Sequence, residues 1–335
     1  MEIDVILDTR AGPQELAELG RLAERYGLHG VWVSSLIDSR DPFTNLSVLA
    51  QRTSRVRLGP IAVNPFDTHP VKIASALLTL NEMADGRARI VIGGGGEALQ
   101  ALGIRPERRV RAVRECVNII RAAASGGKVS HAGELFQVSG LQLRWVTAPP
   151  PQILVGASQE QMLRMAAGCA DGIMMSDMPA QAAAGAIRTL DAALVTAGRG
   201  RPEFRTTVFT AWHVYPDPAQ GRREARRWLF LRGIFRPWLL EGFLSPEDVA
   251  LVMANQGAFA RAFAAGSDTV EGVPDRVLDA LADNVTLAGT SDRLEPVIDK
   301  LRHLKAAGLG GIALRVYADP AAAIRLIGER VLPSL

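Results

Sequence analysis

The feature that most constrains this chain is a rhythm: a short β-rich apolar run, then an amphipathic helix, repeated along the sequence. Residues 3–7, 31–33, 56–63, 89–92, 153–155, 172–175, 206–215 and 311–317 read as strands. Helical spacing fills 13–26, 41–53, 70–83, 106–124, 159–168, 179–197, 293–307 and 320–331. In the first of these Leu16, Leu19, Leu22 and Tyr26 share a face, and Pro13 suits the first turn. Eight such pairs predict an α/β protein with a closed parallel (β/α)8 (TIM) barrel, formed by residues 1–335 as one domain. An open doubly wound sheet is the rival, but it would not need the late pairs. Two segments break the rhythm. After the fourth strand, 125–151 reads as an excursion with a small hairpin. After the seventh, 216–283 reads as a helical insertion, and its Trp228, Phe230, Phe235, Trp238 and Phe243 are expected to cover the site.

In such barrels chemistry gathers at the C-terminal ends of the strands. Gly93, Gly94, Gly95 and Gly96, followed by Glu97, end the fourth strand. Glycines there either let the backbone approach a planar ring or phosphate, or form a bare tight turn. Gly156, Ala157 and Ser158 end the fifth strand and open a helix, where main-chain amides and a hydroxyl suit a phosphate. Ser158 as a simple helix cap is compatible with that. Asn64 and His69 follow strand three; His69 is an acid, a base or a ring ligand, or else structural before Pro70. Asp4, Asp8, Asp38 and Glu97 are the carboxylates near strand ends, and one raised by burial would serve as proton donor.

Composition removes other classes. Net charge is +3, lysine occurs only at positions 72, 128, 300 and 305, and the arginines are scattered, so no nucleic-acid patch is expected. No apolar run reaches a membrane span, and the chain opens straight into a strand, so a cytoplasmic protein is expected. The five histidines show no ligand spacing and the two cysteines, Cys116 and Cys169, do not pair in sequence, so no metal site is expected. No G-x-S-x-G supports a hydrolase nucleophile.

Arg40-Asp41-Pro42-Phe43-Thr44, Val56-Arg57-Leu58-Gly59-Pro60, Asn64-Pro65, His69-Pro70, Thr79-Leu80-Asn81-Glu82 and Asp85-Gly86-Arg87-Ala88 together resemble the luciferase-like oxidoreductases, in particular their methylene-tetrahydromethanopterin reductase-like members. The resemblance continues through 153–158, Ala170-Asp171-Gly172 and Ala288-Gly289-Thr290-Ser291, and is weakest between 216 and 270. It implies a flavin or deazaflavin, FMN or coenzyme F-420, at the barrel mouth. It also implies a bulge with a non-proline cis peptide at Ile61–Ala62 behind the ring, phosphate at Gly156–Ser158 and an acid aligned with Asp4. Ser34-Ser35-Leu36 stands where relatives carry an acidic residue and a histidine after strand two; Ser34 is then a cofactor contact.

The expected function is hydride transfer between reduced F-420, or FMN, and a small cytosolic molecule. One alternative is an FMN-dependent monooxygenase fed by a partner flavin reductase. Another is a non-catalytic flavin-binding barrel. A homodimer or homotetramer is expected, pairing through the helices after strands two and three, where Leu46, Leu49, Leu77 and Leu78 read as exposed apolar residues.

Overall fold

The computed structural model describes residues 1–335 apart from the side chain of Glu97, so the expectation placed on that carboxylate lies outside the described residues. The first half runs β1 (Glu2–Leu7), α1 (Pro13–Arg25), β2 (Gly30–Ser34), α2 (Pro42–Arg52), β3 (Arg57–Ile61), α3 (Pro70–Met83), β4 (Arg89–Ile92), α4 (Arg109–Ala124), β5 (Val129–Ala132) and β6 (Gln137–Leu141). It continues with β7 (Gln152–Gly156), α5 (Glu160–Cys169), β8 (Gly172–Ser176), α6 (Ala180–Thr196) and β9 (Arg205–Tyr215). Then come α7 (Pro218–Arg227), α8 (Pro237–Leu240), α9 (Pro246–Ala254), α10 (Gln256–Ala265), α11 (Asp275–Val285), β10 (Thr286–Thr290), α12 (Glu295–Ala306), β11 (Gly311–Val316) and α13 (Pro320–Leu326).

Eight parallel strands pair in the order β3-β2-β1-β11-β9-β8-β7-β4. Bridges Leu58–Ala88 and Val63–Ile92 join the two ends, closing the predicted barrel. The extra strand β10 was not legible. It pairs with the far end of β9, Thr286 opposite Ala211 through Thr290 opposite Tyr215. At 11 residues β9 outruns the barrel, and β10 covers an edge that would otherwise be left open.

Period-two alternation divides the core. One set of residues, among them Val5, Val31, Val33, Ile90 and Ile312, packs outward against the helices. The other set, Ile6, Trp32, Ile61, Val91, Leu154, Met174 and Ala313, fills the barrel, with Phe209 against it. Below that layer lies a buried ion pair, Arg89 Nη2 to Asp4 Oδ2 at 2.8 Å. Two glycines make room for it. A Cβ on Gly30 would stand 2.0 Å from Arg89 Nη2, and one on Gly59 would stand 1.8 Å from the Arg89 carbonyl oxygen.

The β5–β6 hairpin is tied to α4 by the Glu115 carboxylate, and Glu134 of the hairpin pairs in turn with Arg111 of α4. Glu115 accepts from the amides of Glu134, Leu135 and Phe136 at 3.1, 3.1 and 3.0 Å. Burial alone would raise this carboxyl; the three donors outweigh it and hold it below its ordinary range. Glu115→Ala is expected to speed hydrogen exchange of the 134–136 amides about tenfold or more, leaving barrel amides unchanged. Unchanged exchange at those amides would refute the tie.

Leu46, Leu49, Leu77 and Leu78 are each 0% exposed, which corrects the expectation that they form an outward pairing face. They belong to the stripes of α2 and α3 that seat on the barrel. Among the described residues no helix is long and apolar enough to cross a membrane.

Candidate active site

The site begins where β3 stops. The peptide between Ile61 and Ala62 is cis, at the position the resemblance implied. Around it the β3–β4 ladder is interrupted: Leu58 N donates to Arg87 O, and pairing resumes with Val63 N to Val91 O at 2.9 Å and Gly93 N to Val63 O at 2.8 Å. The gap leaves Ala62 exposed. Gly93 lies against it, and a Cβ there would stand 3.2 Å from Ala62 Cβ. A Cβ on Gly156 would in turn lie 3.7 Å from Gly93 Cα. Missing side chains at these two strand ends therefore keep the space above Ala62 open.

That space is a hollow of about 460 Å3, within the ordinary size of a small-molecule site. Its floor is Ile61, Ala62, Val91, Met174 and Phe209, an apolar bed. Its rim carries Gly94, Gly95, Gly156, Ala157, Ser158, Gln159, Met162 and Ser176. The N-cap of α5 is Gln159 in extended conformation, with no side chain capping the helix. Ser158 is thus not a cap, and the first amides of α5 keep their donors for a ligand.

Two guanidinium groups stand at the same rim, Arg109 from the start of α4 and Arg236 from the 216–283 segment, with Trp238 beside the latter. Among the described residues neither forms a salt bridge. Burial lowers the Arg236 pKa, and only the charge of Asp177 pulls the other way.

Past Ser176 lies a buried cluster of polar side chains. Asp177 follows β8 with φ of 49°, a left-handed conformation uncommon outside glycine and frequent at functional sites. Its carboxylate accepts from Ser176 Oγ at 3.0 Å and Arg232 Nη1 at 3.3 Å. Burial pushes this carboxyl up against the pull of Arg232, and the same contact keeps Arg232 charged. Tyr317 stacks between His213, centroids 4.9 Å apart at 11°, and Trp228 at 4.3 Å. Burial lowers His213 to about 3, so its ring is neutral.

Of the residues singled out in sequence, Ile61, Ala62, Gly94, Gly95, Gly156, Ala157 and Ser158 converge on the hollow, with Gly93 bordering it. Gly96 is exposed, with nothing within 4 Å of where its Cβ would be. Asn64 folds its own loop, accepting from the amides of Phe66 and Asp67. Ser34 is buried on β2, with no partner for its hydroxyl among the described residues. His69 caps α3 through Val71 N and sits edge-on to Phe136, so its placement is structural. Asp4 requires correction. It is buried in the bottom layer of the barrel, held by Arg89, by Trp32 Nε1 at 2.8 Å and by His29 Nδ1 at 3.0 Å. An interior position four residues before the mouth, at roughly 3.3 Å per residue, lies on the order of 13 Å below it. The arginines were missed, because isolated arginines read as surface charge, whereas Trp238 stands at the rim as the reading of the helical insertion expected. Arg109, following a Pro-Glu-Arg start to a helix that faces a glycine run, is the one that could have been suspected.

Comparison with known proteins agrees with this geometry. A family model described as luciferase-like monooxygenase matches residues 1–310. The chain is 31% identical over 325 residues, 96% of each chain, to a 5,10-methylenetetrahydromethanopterin reductase of Archaeoglobus fulgidus. It superposes with a TM-score of 0.84 on the coenzyme F420 dependent tetrahydromethanopterin reductase of Methanopyrus kandleri, at 22% identity over 99% of this chain and 98% of that one. A monooxygenase from Streptomyces bottropensis superposes at 0.73, with 23% identity over 99% of each.

Proposed function

The chain belongs to the luciferase-like monooxygenase family, and we propose that within it this protein is a deazaflavin-dependent reductase, moving hydride between coenzyme F-420 and a small cytosolic substrate. Membership makes it an oxidoreductase using F-420 or FMN. The choice of F-420 is supported by its likeness to the Archaeoglobus reductase along nearly the whole of both chains. One observation carries the reading: an apolar bed beside the β3 break that shares its hollow with open helix amides and two unpaired guanidiniums. That combination fits a flat heterocycle with an acidic tail.

When bound, the deazaflavin supplies a two-electron hydride carrier that reacts poorly with oxygen. The protein's part is placement. Ile61, Ala62, Val91 and Phe209 support the flat ring, and Gly93, Gly94 and Gly95 allow the backbone close to it. Ser158, the first amides of α5, Arg109 and Arg236 hold the tail. Trp238 and the helical segment around it cover the mouth and exclude water. Glu97 is proposed as proton donor from its sequence position after the glycine run. A substrate resembling methylene-tetrahydromethanopterin, a cytoplasmic location and a homo-oligomer belong to the same reading.

The family's own description favours a second reading, an FMN-dependent monooxygenase supplied by a partner flavin reductase. Titrating the purified protein with F-420 and with FMN, following tryptophan fluorescence, separates the two. Saturable F-420 binding in the micromolar range is expected, with no oxygen uptake on adding reduced FMN. Tight FMN binding with oxygen uptake would establish the second reading. No response to either cofactor would end both.

A further inference from the structure

Once Arg109 and Arg236 are given to the cofactor tail, one cation at the mouth has no counterpart. Arg315 stands on β11, one inward position above Ala313, with its register partner Ile6 on β1. It is partly buried, and its guanidinium carbon lies 5.6 Å from the Tyr317 ring. Among the described residues no carboxylate comes within 4.0 Å of it and no acceptor within hydrogen-bonding distance. The two acids whose charges reach it are committed elsewhere. Asp177 is held by Arg232 and Ser176. Asp8 faces Arg10 at 3.5 Å and accepts from its amide at 2.9 Å. Beside Arg315, Tyr317 Oη is also buried without a partner, as are both ring nitrogens of His213, which stacks on Tyr317.

Taking a guanidinium out of water without an anion is unfavourable, and its planar fork matches a carboxylate or a phosphate. An unpaired hydroxyl beside an unpaired cation forms a receptor for an oxyanion. We propose that Arg315 anchors an anionic group of the substrate, a carboxylate or phosphate ester, with Tyr317 Oη beside it, so that the rest of the molecule reaches over the bed at Ala62. This assigns the substrate class of the proposed reductase and rests on the cofactor lying between Gly93 and Ser158.

The test uses the whole protein, with and without F-420, titrated with inorganic phosphate, with benzoate and with neutral benzamide, reading the fluorescence of the tryptophans near Tyr317. Saturable binding of one anion and none of benzamide is expected. Phosphate alone indicates a phosphate ester; benzoate alone indicates a carboxylate. Arg315→Gln should weaken that anion about 10- to 100-fold, Arg315→Lys should restore part of it, and F-420 affinity should stay within about twofold in both. Equal anion affinity in wild type and Arg315→Gln overturns the proposal, as does saturable binding of neither anion. So does a loss confined to F-420, which would place Arg315 in the cofactor site. If wild type binds no F-420 yet takes the anion through Arg315, the reductase reading falls and the anchor stands.

Discussion

Gly156→Val is expected to weaken F-420 and FMN binding about 100-fold while leaving the melting temperature within a few degrees of wild type. Gly156 ends β7 pointing inward, opposite Met174 in the ladder with β8. A Cβ there meets only Gly93 Cα and Ile92 O at 3.7 Å and Val91 Cγ1 at 3.9 Å, ordinary contacts that the fold accepts. Valine also suits an extended backbone. Its two methyl groups have nowhere to go but the hollow, over the bed on which the ring would lie. Overfilling a packed site costs about 1–3 kcal/mol, and a hundredfold loss of affinity is about 2.7 kcal/mol. Gly156→Ala, adding only the tolerated Cβ, should lose about tenfold or less. Cofactor titration by fluorescence, with thermal melting by circular dichroism, reads both quantities. Wild-type affinity in the valine variant would mean that the ring does not use this hollow, and the proposed function would lose the observation that carries it.

The barrel was readable because each inward and outward stripe of a strand is short, apolar and followed by a helix whose buried face repeats every three to four residues. The glycine run and the 156–158 turn were readable for a related reason: glycine and small residues at a strand end have few other uses. The arginines that give the mouth its charge were not. Arg236 comes from the helical segment and Arg315 from the last barrel strand, more than seventy positions apart, and only closure of the barrel brings the charges of both to bear on Asp177. Glu115 was likewise invisible, since a lone acid inside a helix pattern gives no sign that a hairpin will fold back onto it. The leucines of α2 and α3 were misjudged because a helix that packs on a barrel and also meets its neighbours is apolar over a wide arc.

Asp4 is the case in which sequence position and physical position part, and exchanging it decides between them. Asp4→Leu is expected to destabilise the protein by about 3–5 kcal/mol, because it strands the Arg89 guanidinium, 1% exposed, without its anion. Asp4→Leu with Arg89→Met should recover a large part of that loss, since replacing both charges by apolar groups removes the unpaired ion. Urea unfolding followed by circular dichroism measures each. The acid side of the stability profile carries the same signature. Burial alone would raise the Asp4 carboxyl; Arg89, His29 and Trp32 outweigh it and hold the pKa below its ordinary 3.8. A carboxylate depressed on folding contributes fully above its unfolded value and loses its contribution as pH falls through the folded one. Wild type should therefore lose stability below about pH 4 more steeply than the double variant. A residue that served as proton donor to substrate would behave differently. Asp4→Asn would then abolish turnover with stability and cofactor affinity intact, and that outcome would return Asp4 to the active site from the base of the barrel.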